Sequence, residues 1–363
     1  MKVIQTVVIS LILMGNVAAQ DVRINGTISH TLRQPVNQID RTAKMASPVN
    51  IREIKLLNIQ LSDKAKQTLA NKAQQTLTPS NQFSPNTIGG KFPPSIQLGM
   101  NEVPVLDQGS HGTCVTFATT AAYDAAMNKG DYISQLCQLQ VGNYLSANGY
   151  AYSGWDGSLG RFVLSQMDSV GVVSKAQESS HGCGGLHHYP MQGPTPDSSI
   201  SLKKYHKISD PLAQVQVFWS PMLDIYQAID RFDTNKTLTE VKSSLQKGDR
   251  VTFGVLLLDF DLGLMGAAGK KGDTYDTWVL TPEIARDVFL QPDFGGHEMI
   301  ITGYDDQATA TDDDGRTYQG LLTLRNSWGE NLGDHGNFYM SYDYFKLLVI
   351  EAQRIHHTES IFD

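Results

Sequence analysis

The order of predicted elements, helices first and short strands after, predicts an α+β protein whose helical half packs against an antiparallel sheet with a cleft between them. Apolar stretches with helical spacing stop at glycines between residues 114 and 171. From residue 251 onward, β-branched and aromatic runs alternate with turn residues. The composition is that of a globular chain: 363 residues, 40% hydrophobic and 18% charged, enough for one large domain plus a smaller segment, or for two.

Lys2, the apolar run Val3 to Met14 and the small residues Val17-Ala18-Ala19 predict a signal peptide, residues 1–19, cut after Ala19. The alternative is an uncleaved anchor or a buried strand. No later segment reaches the ~18 consecutive apolar residues of a membrane helix, so the expected mature chain is exported and makes no use of a membrane. The net charge is −8 and no lysine- or arginine-rich run occurs, which argues against nucleic acid as a partner.

Residues 20–92 are rich in Gln, Asn, Ser, Thr and Lys and hold no Cys, Trp or Tyr. Ile51 to Leu77 contains an amphipathic stretch, with Ser62 opening a helix and Ala65, Leu69 and Ala73 on one face. Asn86 to Pro94, with Gly89-Gly90 and Pro93-Pro94, reads as a linker. A small helical segment ahead of a linker suits a removable pro-region; the alternative is an N-terminal arm of the mature protein. Residues 93–363 then form the main domain.

Within that domain Cys114 to Lys129 reads as a helix stopped by Gly130, and Leu159 to Val170 as one stopped by Gly171. Thr237 to Glu240 is a capping-box pattern opening a third, which Gly248 ends. The expected strands are Val251 to Asp259, Glu298 to Tyr304, Gly320 to Arg325 and Gly336 to Tyr342. Asp312 to Gly315 reads as a tight turn; a calcium loop is the sharper alternative, but it lacks spaced ligands and a closing Glu.

The chain has three cysteines. In an oxidising compartment two would pair and the third would be a candidate reactive thiol, and three pairings are possible. Asp107-Gln108-Gly109-Ser110-His111-Gly112-Thr113-Cys114 delivers a cysteine to the first turn of a helix. The unpaired N–H groups and partial positive charge of a helix start favour thiolate, and point where an oxyanion would form if that sulfur attacked a carbonyl. Gln108, six residues ahead of Cys114, can add a side-chain N–H to that hole. Of the ten histidines, His297 follows Gly295-Gly296 and begins the apolar run Met299-Ile300-Ile301. An imidazole there can hold the thiolate ready and protonate a leaving amine. It needs a third polar group to orient it, and Asn326 stands at the end of the strand Leu321 to Arg325.

These segments resemble the papain-like cysteine peptidase family. Gln108 to Phe117 is similar to the family's Q-G-x-C-G-S-C-W-A-F signature, and Asn326-Ser327-Trp328-Gly329-Glu330 with Gly333 and Gly336 to its N-S-W-G-x-x-W-G-x-x-G signature. Gly296-His297, Pro93-Pro94-Ser95 and Val105-Leu106-Asp107 resemble its histidine segment and the start of its mature domain. The resemblance implies a papain-like fold and a secreted endopeptidase acting on proteins or peptides without cofactor or metal. It makes Cys114 the nucleophile, His297 the base, Asn326 its orienter, Gln108 the oxyanion-hole side chain and Trp328 a shield over the His297–Asn326 bond. It also implies a pro-region, here residues 20–92, that lies along the cleft and inhibits.

The chain departs from the pattern at His111 (usually a disulfide cysteine), Thr113, Val115 (usually tryptophan) and Glu298 (usually small). Loss of the usual first bridge is consistent with Cys137–Cys183 as a disulfide. Glu298 either raises the histidine pKa or points away on the other strand face. His187-His188 resembles the paired histidines of exopeptidase relatives, although Tyr189-Pro190 after it fits a different segment. The rival functions are acyl transfer or deamidation on the same triad, and a binding protein that keeps the fold without the activity.

Overall fold

The computed structural model describes residues 21–35, 49–77, 92–150, 152–212, 216–231, 233–258, 264–266, 275–290, 293–312 and 314–357. The signal-peptide reading and most of the linker lie outside the described residues.

The chain opens with two long strands, β1 (Val22–Pro35) and β2 (Val49–Leu61), and a helix, α1 (Asp63–Thr76). A short strand β3 (Ser95–Gln97) leads to four helices: α2 (Cys114–Met127), α3 (Gln135–Ala147), α4 (Gly160–Val170) and α5 (Lys175–His181). Then come α6 (Leu202–Tyr205), β4 (Val217–Leu223), α7 (Ile225–Ala228) and α8 (Thr234–Gln246). The last part holds β5 (Arg250–Leu257), β6 (Leu264–Gly266), β7 (Tyr275–Trp278), α9 (Pro282–Asp287), β8 (Phe294–Thr311), β9 (Thr317–Arg325), β10 (Asn337–Ser341), α10 (Tyr342–Leu348) and β11 (Val349–His357). The sheet runs β4-β11-β5-β8-β9-β10-β7-β6, and its pairs are antiparallel except β7 with β10. The fold is therefore α+β, with α2 laid against β8, β5 and β11.

The core follows this division. One apolar cluster lies in the sheet half and includes Phe253, Met299, Ile301, Trp328 and Phe338. A second, with Val115, Ala118, Ala122 and Ile300, glues α2 to the sheet. A third, with Phe117, Leu139, Trp155 and the disulfide Cys137–Cys183, fills the helical half.

Several expected elements shift. The strands around β5, β8, β9 and β10 form, with β8 much longer than its apolar run because its polar outer end continues the ladder to Thr311. A turn follows, in which Oδ1 of Asp312 accepts from the N–H groups of Asp314 (3.1 Å) and Arg316 (2.8 Å). Helix α2 ends at Met127, because Asn128 takes the left-handed conformation (φ 54°) before Gly130. Helix α8 starts at Thr234, three residues before the capping-box pattern, because the Asp233 carboxylate accepts from the N–H groups of Asn235 and Lys236.

The larger correction is in the N-terminal segment. Only residues 63–76 of the amphipathic stretch are helical, capped by Ser62 as expected. Residues 49–61 form a strand, paired along its length with β1. Ile54 and Leu56, then Leu57, Ile59 and Leu61, alternate across a pleat and are buried. With Ala65, Leu69 and Ala73 they join the main cluster of the sheet half.

Candidate active site

Cys114 and Asn326 sit where an element begins or ends, and His297 lies near the start of a strand. Cys114 is the first residue of α2. The N-cap, Thr113, does not cap: its side chain accepts no hydrogen bond from the helix, and its hydroxyl instead pairs with the Tyr189 hydroxyl at 2.9 Å. The Thr113 side chain therefore takes up none of the first-turn N–H groups, and those of Cys114 and Val115 turn toward the Cys114 sulfur. The backbone N–H of Glu298, the residue after His297, turns toward the Cys114 sulfur and favours its charged form.

His297 lies on β8 and Asn326 just beyond β9, its antiparallel neighbour, where Ile300 faces Arg325. Nε2 of His297 donates to Oδ1 of Asn326 at 2.8 Å. The same oxygen accepts from the Ser327 N–H at 2.7 Å, which fixes the amide. Nδ1 of His297 is buried and has no hydrogen-bond partner among the described residues, so it is the nitrogen not spent on Asn326. Trp328 stacks on the imidazole, ring centroids 4.6 Å apart, and is itself wedged against Trp278 and Phe338. It covers the His297–Asn326 bond with apolar surface.

Gln108 is tied into this row. Its N–H donates to the Ser327 carbonyl (2.9 Å) and its Oε1 accepts from the Ser327 hydroxyl (2.9 Å). One hydrogen of its amide goes to the His111 carbonyl (2.9 Å), leaving the other available. The structure thus brings Gln108, Cys114, His297, Asn326 and Trp328 to one place. It adds two residues that motif reading passed over: Ser327, which holds Gln108, and Tyr189, whose hydroxyl donates to the Gln108 carbonyl at 2.7 Å.

The departures also find places. His111, standing where a bridge cysteine is usual, is buried edge-on to Trp155 (5.2 Å) and Tyr189 (5.9 Å), so an aromatic cluster occupies that corner. Burial pushes its pKa down. Glu298 points away from His297 into the contact between sheet and helices, the second of the two readings, since neighbours on a strand face opposite sides.

The cleft is covered. Cys114 and His297 are each 2% exposed. The cover is β2 with β1 behind it. Leu57 pairs with Gly296 on β8, beside His297, and packs on Gly157 of the helical half. At both glycines a Cβ would collide with this strand. On β1, the Thr27 methyl lies where a Cβ on Gly112 would come within 2.7 Å. Five residues before Leu57, Arg52 closes the other end. Its guanidinium forms a forked pair with the Asp107 carboxylate and also donates to the carbonyls of Gly109 (3.3 Å) and Trp328. Gly109 precedes Cys114 and Trp328 follows Asn326, so one side chain grips both banks of the cleft.

Covering has an electrostatic consequence. Removed from water, the Cys114 thiol is pushed up to about 12, and burial holds His297 down to about 4 against the opposing Asn326 hydrogen bond. The covered site therefore holds a neutral thiol and a neutral imidazole.

No family model and no curated protein matches the chain. Among solved structures, it is similar to xylellain, a cysteine protease from Xylella fastidiosa (19% identity, 77% of this chain and 91% of that one, TM-score 0.45). It is also similar to digestive procathepsin L 3 of Tenebrio molitor larval midgut (15%, 80% and 79%, TM-score 0.45). A third is the bromelain protease from Ananas comosus (14%, 73% and 99%, TM-score 0.43).

Proposed function

We propose that the chain is the latent precursor of an exported papain-like cysteine endopeptidase, with residues 20–92 as an inhibitory pro-region and residues 93–363 as the peptidase domain. The observation that carries this is the row Cys114, His297, Asn326 under a strand that runs between both halves of the cleft.

Once β2 leaves, water and substrate reach the site and the sulfur proton passes to Nδ1 of His297. The thiolate attacks the peptide carbonyl carbon. The resulting oxyanion sits against the first-turn N–H of Cys114 and the free Gln108 amide hydrogen. The C–N bond breaks as His297 returns its proton to the leaving amine, giving a thioester. His297 then takes a proton from water, the hydroxide adds to the thioester, and collapse releases the acid and the thiol. Asn326 keeps the imidazole in the tautomer and orientation that both proton transfers need. The residues present suffice for this chemistry without a metal.

The test is casein turnover under mildly reducing conditions by the full chain, by an Arg52→Ala/Leu57→Ala chain with the covering strand loosened, and by the latter carrying Cys114→Ala. Turnover that rises on loosening and vanishes in Cys114→Ala supports the reading. Equal turnover with and without loosening rejects the pro-region role. A loosened chain whose thiol is accessible but cleaves nothing argues for acyl transfer to another acceptor or for a binding role.

A further inference from the structure

Glu298 and Glu351 are buried, 1% and 3% exposed, in the wall where α2 and α4 pack on the sheet. They lie in one cross-strand row. Gly254 on β5 faces Glu298 on one side and Glu351 on the other. Both carboxyls lean over that glycine: a Cβ there would come within 3.0 Å of Oε2 of Glu298 and 3.3 Å of Oε1 of Glu351. Only the missing side chain leaves room there for both carboxyls.

Their surroundings are polar but neutral. Oε1 of Glu351 accepts from the Gly160 N–H at the start of α4 (2.9 Å), and its Oε2 from the Gln353 amide (2.9 Å). Gln353 accepts in turn from the Thr252 hydroxyl at 3.0 Å. Among the described residues no cation pairs with either carboxyl. The charged or titratable groups around them are Cys114 from α2, Arg161 from α4, whose guanidinium is engaged by Asp224 at 2.5 Å, Asp224 itself, Arg325 at the end of β9, which lines the same small cavity as Glu298, and His297 on the opposite face of β8.

We propose that Glu298 and Glu351 share one proton across Gly254, and that the charge of this pair regulates how readily Cys114 becomes a thiolate. Two carboxyls buried side by side without a paired cation do not both ionise readily: burial raises both, repulsion from Glu351 raises Glu298 further, and Glu351 is held back by the Gly160 N–H, the Gln353 amide and Arg161. Glu351, with two N–H donors, takes the larger share of the charge, and Glu298 keeps the proton. Glu298 acts on the nucleophile in two opposed ways. Its backbone N–H favours the thiolate, and its carboxyl, when charged, opposes it. The second half of the proposal rests on Cys114 being the nucleophile; the first half does not.

The first measurement uses the full chain and needs no activity: thermal midpoints from pH 4.5 to 8.5 for wild type, Glu298→Gln and Glu351→Gln. A carboxyl raised in the folded state contributes its stability in full below the ordinary carboxylate range and loses it as pH rises toward the folded value. The midpoint of Glu298→Gln relative to wild type should therefore climb with pH, by about 3 °C or more across the range. Glu351→Gln, which leaves Glu298 buried without N–H donors, should gain less. Parallel curves for wild type and the variants overturn the shared proton, and if one variant fails to fold the other carries the same comparison.

The second measurement is the pH profile of Cys114 alkylation by iodoacetamide in the Arg52→Ala background, with and without Glu298→Gln/Glu351→Gln. Removing the pair should move the profile to lower pH, with up to about tenfold faster alkylation below the transition. Glu298→Asp should return it toward wild type, which a purely packing role would not do. Superimposed profiles overturn the link to Cys114. Casein turnover is scored separately, so failure of the peptidase reading is distinguishable from failure of this one.

Discussion

Replacing Arg52 by alanine should unlock Cys114. The Arg52 and Asp107 side chains are 22% and 33% exposed, so their forked pair is partly screened by water. The guanidinium also donates to two backbone carbonyls, of Gly109 and Trp328, and hydrogen bonds to charged groups are individually worth ~1.5–3 kcal/mol when well shielded. Discounting for exposure leaves about 2 kcal/mol for the whole grip, which is about thirtyfold in the fraction of molecules with β2 lifted. Alkylation by a small neutral haloacetamide reads this fraction directly when opening and closing are fast compared with the chemistry. The Arg52→Ala chain should thus be alkylated roughly thirtyfold faster than wild type. High salt, which screens the pair, should raise the wild-type rate and leave the variant nearly unchanged. Equal rates in a folded Arg52→Ala chain would refute the idea that this side chain holds the cover.

Burial of neutral His297 makes the covered protein sensitive to acid. Its pKa is about 4 when folded against an ordinary 6.5, so stability is complete above 6.5 and is lost as pH falls toward 4, ~3 kcal/mol in all. Denaturant titrations of wild type and His297→Gln across that window should converge by about this amount. Removing the disulfide in a Cys137→Ala/Cys183→Ala chain should cost ~2–4 kcal/mol by urea unfolding, since it closes a loop with a sequence separation of 46. In the loosened chain, Asn326→Ala should lower kcat on casein by roughly 10²-fold or more, the usual scale for a group that orients a general base, with little change in thermal midpoint.

What was readable and what was not divide along physical lines. Helix α1 with its Ser62 cap, helices α2 and α4, and the late strands follow from local spacing and from residues that stop a helix or turn a strand. The sequence also pointed to Gln108, Cys114, His297 and Asn326 as candidates, because glycines or turns flank them, and the structure places them near one another, all buried. The strand character of residues 49–61 was missed although it was present as two short alternations. Leu56-Leu57 breaks the period between them, and the composition around it reads as polar. Pairing with β1 and burial against the sheet decide that segment, and no local preference reports either.

Glu298 shows the limit more sharply. As a residue it was a departure with two readings, because sequence places it beside His297 but says nothing about its partner. The partner, Glu351, is 53 residues away and meets it only because Gly254 lies between them in the register of three strands. The sequence by itself determined the helices and late strands set by local spacing, and it singled out the residues proposed for chemistry. The tertiary structure alone decided that β2 covers those atoms, that Arg52 grips both banks, and that two carboxyls share a buried wall. Each of these is a contact between segments far apart in the chain, made by packing and solvent exclusion.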